Sequence, residues 1–339
     1  MAIYFIFFLL LLSFSFFNKR AAAYLFSIFW FLFVGLRKEI GTDWYPNLEL
    51  FERAILNEKS FNSYQLIDSE IVWKITATVF DSLSLNFEYI FILLGLIQAY
   101  MIFSLISESR NHKLAILGFS TTFLLFFPMN AFRQGFCLIA LIYSFSKFRF
   151  KRHTGLILSL TTHISSLPAV VAMKLNLGMR GMLIALSIIL VAITTAQELI
   201  LLRYGDIFAS GGLGFSPRLL LQVLLVATFM ILFEKDNEKN KQLLVLGFFY
   251  LSTFIIFYAY RYVGFLVGFL HLYYAIYKLP KNNYGYLFFF LSCMLFFVAD
   301  ISDMYVSKLN SELGLYKEGC FQCTSWVPYD NYIFRLLGL

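Results

Sequence analysis

About 20 apolar residues in a helix cross the hydrocarbon core of a bilayer. Stretches near that length recur along the chain at 2–17, 21–36, 86–106, 114–129, 131–148, 181–197, 218–233, 243–260, 262–278 and 284–300, each closed by a polar or basic patch. The stretch 154–175 is also apolar, but His163 and Pro168 interrupt it. That pattern predicts a broken or re-entrant helix, because irregular backbone at membrane depth is tolerated only where protein or a water-filled cavity satisfies it. The segment 71–83 is shorter and more polar, which predicts a piece lying at the interface. The expected architecture is an all-α polytopic membrane protein with about 10–12 transmembrane helices, counting the broken one. No internal repeat, low-complexity tract or Pro-rich linker divides it, so 1–339 is expected to be one integral-membrane domain.

Basic loops set the expected orientation. The first apolar stretch is followed, not preceded, by positive charge at Asn18-Lys19-Arg20. It therefore reads as a first span with a cytoplasmic anchor, not as a cleaved leader. Arg149, Lys151 and Arg152 form the densest basic group, so 147–153 is expected in the cytoplasm. Alternation outward then places Lys19/Arg20, Arg110/Lys113, Lys174/Arg180, Lys235/Lys239/Lys241 and Lys278/Lys281 inside, provided that 154–175 enters and returns on one side. The opposite face receives the loops 37–70 and 198–217 and the tail 301–339. The first loop mixes Trp44, Tyr45, Phe51, Phe61 and Tyr64 with polar residues, as interfacial segments do. The second carries Gly211, Gly212 and Gly214, which suits a mobile lid.

Composition agrees with this class. Hydrophobic residues make up 60% and charged residues 14% of the chain, and mean hydropathy is +0.74; soluble domains carry roughly 25% charge. Phe occurs 42 times and Tyr 21 times, as lipid-facing surfaces and interfacial belts require. The net charge of +7 reflects cytoplasmic loops and does not point to nucleic acid. Walker, dinucleotide-binding, H-E-x-x-H and nucleophile-elbow motifs are absent, which argues against nucleotide-driven coupling within this chain.

Against this apolar background, Arg37, Arg133, Arg218 and Arg261 each sit at or inside the edge of a hydrophobic stretch. A guanidinium at membrane depth is costly and marks a functional site by default. Several on one side suit an anionic ligand such as a phosphate, which the planar fork contacts in bidentate fashion. Arg218 follows Ser216-Pro217 near a loop edge, where snorkelling also accounts for it. Asn130, Arg133 and Gln134 share a helical face; the two amides also suit interhelical hydrogen bonding, whereas the arginine needs an anion. Tyr258, Arg261 and Tyr262 share another face, where interfacial tyrosines need no ligand but the arginine between them has a cation–π setting. Asp43, in Gly41-Thr42-Asp43-Trp44-Tyr45, reads either as a capping turn or as a group that orients an arginine or binds a sugar hydroxyl beside the Trp44 and Tyr45 rings. His163, at the helix break, is either a structural hydrogen-bonder or a proton acceptor. Cys137 and Cys293 read as packing residues. Cys320 and Cys323 lack the second ligand pair that zinc prefers, and read as a structural disulfide in an oxidising compartment.

Taken in order, these residues resemble a known family. Gly35-Leu36-Arg37 through Gly41-Thr42-Asp43-Trp44-Tyr45 resembles the G-L-R-x-x-x-G-T-D-x-x motif of EpsG-family membrane proteins, Wzy-like O-antigen and exopolysaccharide polymerases. Asn130-Ala131-Phe132-Arg133-Gln134 resembles the family's N-x-x-R-Q, and His163-Ile164-Ser165-Ser166-Leu167 its H-x-S-A-L break, with Ser166 in place of Ala. Tyr260-Arg261-Tyr262 and Val327-Pro328-Tyr329 resemble its later aromatic-basic and P-Y sites. Asp68-Ser69-Glu70-Ile71 fits the family's E-x-G-Y only loosely, and the Cys320/Cys323 pair is peculiar to this chain.

The resemblance implies a multi-pass inner-membrane glycosyltransferase of GT-C-like architecture with its active site facing the periplasm. Its substrates would be undecaprenyl-diphosphate-linked oligosaccharide repeats, with membrane lipid and a chain-length regulator as partners, no nucleic acid and no cofactor or metal. The growing glycan would pass from its lipid diphosphate to the terminal sugar of a new repeat unit, with inversion. Arg37, Arg133 and Arg261, assisted by Arg218, would hold the diphosphate. His163 or Asp43 would take the acceptor proton, and Gln134, Asn130, Trp44, Tyr45, Tyr258, Tyr262 and Glu70 would bind or orient the glycan. A ligase to lipid A core would use the same donor but usually carries a larger outer loop than 198–217. A flippase would show discontinuous helices in both halves, and only one break is evident. A purely structural membrane partner leaves the arginines unexplained.

Overall fold

The structure is a computed structural model that describes residues 2–36, 47–48, 51–52, 71–122, 132–163, 166–167, 169–170, 181–188, 191, 217–234, 239–253 and 259–312, with the backbone alone at 2–7, 71, 73, 122, 217–218, 259–261 and 299–312. Among the described residues every regular element is a helix. In chain order these are α1 (Ala2–Ser13), α2 (Lys19–Trp30), α3 (Ile71–Ser82), α4 (Glu88–Glu108), α5 (His112–Thr122), α6 (Phe132–Tyr143), α7 (Arg149–Thr162), α8 (Pro217–Leu232), α9 (Lys239–Ser252), α10 (Ala259–Tyr277) and α11 (Asn283–Glu312). Of the described helices, α4 is both long and apolar enough to cross a membrane on its own, and stretches of α6, α8, α10 and α11 are apolar but shorter.

Two boundaries differ from the sequence reading. The basic group at 147–153 is only partly a loop: α6 stops at Tyr143, Lys147 and Phe148 lie in the turn, and Arg149 opens α7. The Ser144 hydroxyl binds locally to Leu141 O, as serine often does at helix ends, and the Ser146 hydroxyl reaches the Glu108 carboxylate at the end of α4. At the far end, α11 runs on to Glu312, well past the apolar stretch that ends at 300.

The chain divides into two compact units. The first comprises Met1–Ile164, Ala275–Tyr277 and Cys293–Leu339, the second Ser165–Tyr274 and Lys278–Ser292. In the first unit, Asn18 caps α2 by accepting from Ala21 N at 3.0 Å. Trp30 then packs with Phe26 and Phe119 and donates from Nε1 to the buried Gln98 Oε1 at 3.0 Å. A π-type turn over Phe31–Gly35 extends α2. Gly35 ends it against Gly95 of α4, where a Cβ on Gly95 would fall 3.0 Å from Gly35 N. Helices α6 and α7 form an antiparallel hairpin of similar closeness. A Cβ on Gly155 would lie 2.6 Å from both Ala140 O and Ser144 N.

One end of this unit is held by a carboxylate. Glu108 accepts from Ser146 Oγ at 2.7 Å and Ser104 Oγ at 3.1 Å, and pairs with Lys151. Lys19 Nζ donates to Ser109 O at 2.6 Å beside it, Arg110 N to Ile276 O at 2.9 Å, and Tyr277 OH to Ile142 O at 3.0 Å. The start of α2, the end of α4 and the turn between α6 and α7 therefore meet there. Glu108→Gln is expected to destabilise the protein by about 2 kcal/mol, because the largely buried Lys151 loses its counter-charge. A thermal midpoint in detergent checks this. An unchanged midpoint would mean that the pair contributes nothing.

The second unit is built on rings. Phe229 contacts Phe233, His271, Tyr274 and Phe289. The fully buried His271 is held at both ring nitrogens, by Val267 O at 2.9 Å and Ser292 Oγ at 2.7 Å. Tyr274 OH donates to Gln242 at 3.0 Å.

Candidate functional site

The opposite end of the first unit brings together described residues of three sequence motifs, Gly35-Leu36, Phe132-Arg133-Gln134 and His163. On α4, Gly95 and Phe91 lie four residues apart and so share a face. Gly95 meets Gly35, and Phe91 meets Phe132 with ring centroids 4.8 Å apart. Since α4 enters at Glu88 and ends at Glu108, Phe91 is one turn nearer the far end than Gly95. Leu36, the last described residue before Arg37, therefore leaves α2 close to the level at which Phe132 and Arg133 begin α6. The ring chain continues from Phe91 to Phe87 at 5.0 Å and on to Phe51 at 5.4 Å, so Phe51 also packs at this end. Phe51 is buried there, and the neighbouring Asn47 is fully so.

The third motif arrives through the hairpin. Helix α7 ends at Thr162, and His163 is extended, with φ −160° and ψ 134°. Cys137 clasps this end, its thiol lying 3.2 Å from Ser159 O and 3.5 Å from His163 O. Cys137 follows Arg133 by four residues, just over one helical turn or about 6 Å of rise. Arg133, Gln134 and His163 thus occupy one end of one hairpin, all half-buried. This arrangement places a guanidinium-bearing and an imidazole-bearing residue at one end of the hairpin, and a guanidinium there suits an anionic ligand.

Other sequence-predicted positions fall differently. Arg218 lies in the first turn of α8 and Arg261 in the first turn of α10, both in the second unit and with only their backbone described. Tyr262 is buried and stacks on Phe249 at 5.5 Å, so its ring packs the interior of that unit. Arg37, Asp43, Trp44, Tyr45, Glu70, Asn130, Tyr258, Cys320 and Cys323 lie outside the described residues.

Cys137, Phe51 and Asn47 are absent from the sequence reading of the site. Cys137 is signalled in sequence only by its i+4 spacing from Arg133, which reads as ordinary packing until α7 is laid against it. Removing the thiol donor with little change in volume, as in Cys137→Val, is expected to cost about 1 kcal/mol of stability but to reduce activity more than that loss explains, while Cys137→Ser retains function. Equal activity in both variants, measured at matched folded protein, would show that the clasp does not position His163.

Together the features define a helical membrane protein with an arginine, a glutamine and a histidine held at one end of a tight hairpin. The chain belongs to the EpsG family, whose model matches residues 20–313, and this family is associated with membrane-bound, glycosyltransferase-like polysaccharide polymerases. No curated protein and no solved structure matches the chain significantly.

Proposed function

We propose that the protein polymerises a lipid-linked glycan, transferring the growing chain from undecaprenyl diphosphate to the non-reducing-end sugar of an undecaprenyl-diphosphate-linked repeat unit. The observation that carries this reading is that Cys137, one helical turn after Arg133, contacts the His163 carbonyl, so both residues belong to the same end of the α6–α7 hairpin. The leaving group of such a transfer is a diphosphate. A guanidinium suits its charge as the glycosidic bond breaks, and preorganised electrostatics of this kind is usually the largest catalytic contribution. Arg37, covalently next to Leu36, would join it. His163 or Asp43 would take the acceptor proton as that oxygen attacks the anomeric carbon, giving inversion in one displacement. Arginines in place of a divalent cation make the reaction metal-independent. The working end would face the periplasm and the Glu108 end the cytoplasm, where the surplus of Lys19, Arg20, Arg110, Lys113 and Arg149 belongs.

The test supplies purified protein in nanodiscs with undecaprenyl-diphosphate repeat units, EDTA and no nucleotide, and separates the products on a gel. A ladder of repeats is expected. Folded protein that binds the lipid yet yields no ladder would move the reading to a ligase or a flippase, which lipid A core as acceptor would separate.

A further inference from the structure

The turn between α6 and α7, at the Glu108 end, carries more positive charge than the fold uses. Lys147, Arg149, Lys151 and Arg152 fall within six positions around the start of a helix, where the helix dipole itself disfavours cations. Glu108 pairs with Lys151 and also acts on Lys19. Among the described residues no carboxylate pairs with the exposed Lys147, Arg149 or Arg152. Between these cations stand two phenyl rings turned outward, Phe148 at 60% and Phe150 at 79% exposure. Both rings are costly in water and favourable at the boundary of headgroups and acyl chains. Lys151 Nζ lies 4.8 Å from the Phe148 ring centroid, which ties that ring to the charge cluster.

We propose that this turn docks anionic phospholipid headgroups, with Lys147, Arg149 and Arg152 on the phosphates and Phe148 and Phe150 among the first acyl carbons. The two chemistries alternate along K-F-R-F-K-R and so select an amphiphile. A free anion leaves the phenyls in water, and a zwitterionic headgroup leaves the cations uncompensated. The proposal is independent of the polymerase reading, because it concerns the other end of the first unit and needs no glycan.

Native mass spectrometry of the delipidated full-length protein in detergent tests it. Dioleoyl phosphatidylglycerol is titrated against dioleoyl phosphatidylcholine, with inorganic phosphate and a short oligoglutamate as competitors. Wild type is expected to prefer phosphatidylglycerol by roughly 100-fold. Each cation near an anionic surface accounts for roughly fivefold, so Lys147→Gln/Arg149→Gln/Arg152→Gln should weaken phosphatidylglycerol binding by up to roughly 100-fold and leave phosphatidylcholine unchanged. Arg149→Lys/Arg152→Lys should retain the preference. Phe148→Ser/Phe150→Ser, which keeps every charge and guards against a triple variant that fails to fold, should lose lipid affinity. Equal binding of the two lipids by wild type would overturn the proposal. So would an unchanged preference in the triple variant. Displacement by inorganic phosphate would assign the site to a free anion, and displacement by oligoglutamate to an acidic protein; either result overturns the lipid assignment.

Discussion

Arg133→Ala is expected to leave a folded, membrane-inserted protein that makes no polymer. Arg133 is half-buried in the first turn of α6, while the packing residues of that helix, Phe132, Phe136 and Cys137, are untouched by the change. Stability should therefore hold. Removing one preorganised donor from a developing anion costs about 10²–10³-fold in rate, and over many cycles of addition such a loss removes the ladder. Arg133→Lys keeps the charge but not the bidentate fork, so it should make short products slowly. Chain lengths on a gel, normalised to folded protein, measure both. Wild-type ladders from the alanine variant would remove Arg133 from the site.

Gly155→Ala is expected to damage stability and activity together. The added Cβ meets Ala140 O and Ser144 N at 2.6 Å and Ser144 Cα at 3.0 Å. All three are backbone atoms, so no rotamer change relieves the contact and the hairpin must open. Overpacking of this kind costs about 1–3 kcal/mol. The same opening shifts α7, and with it His163, against α6 and Arg133. A misplacement near 1 Å costs about 10²-fold in rate. A lowered thermal midpoint with a much larger loss of polymer is the expected pair of results. A variant as stable and active as wild type would mean that the hairpin crossing does not set the site.

The sequence makes some of this legible. The apolar stretches locate the helices, because apolar length is a strong signal, and the break at His163 is readable from His163 and Pro168 interrupting one such stretch. Arg133 stands out because a charge in an apolar context needs a reason. The approach of Gly35-Leu36 and of His163 to the α6 end is not legible, since it depends on two glycine contacts. Gly35 against Gly95 and Gly155 against Ala140 and Ser144 are long-range partnerships that no local pattern encodes. Glu108 is a similar case. Read along α4 it is one carboxylate at a helix end, and its part in holding Ser104, Ser146 and Lys151 emerges only when α7 returns beside it. Tyr262 shows the reverse problem. Its spacing from Tyr258 suggests a shared binding face, but a buried ring stacked on Phe249 has the same spacing in sequence.

The central claim is that the α6–α7 end bearing Arg133 and His163 receives the lipid diphosphate. Photo-crosslinking with a diphosphate-bearing polyprenyl analogue, followed by peptide mapping, tests it most directly. The account predicts adducts within 132–143 and around 159–163, reduced in Arg133→Ala. Adducts confined to the Glu108 end, or unchanged by the substitution, would contradict it.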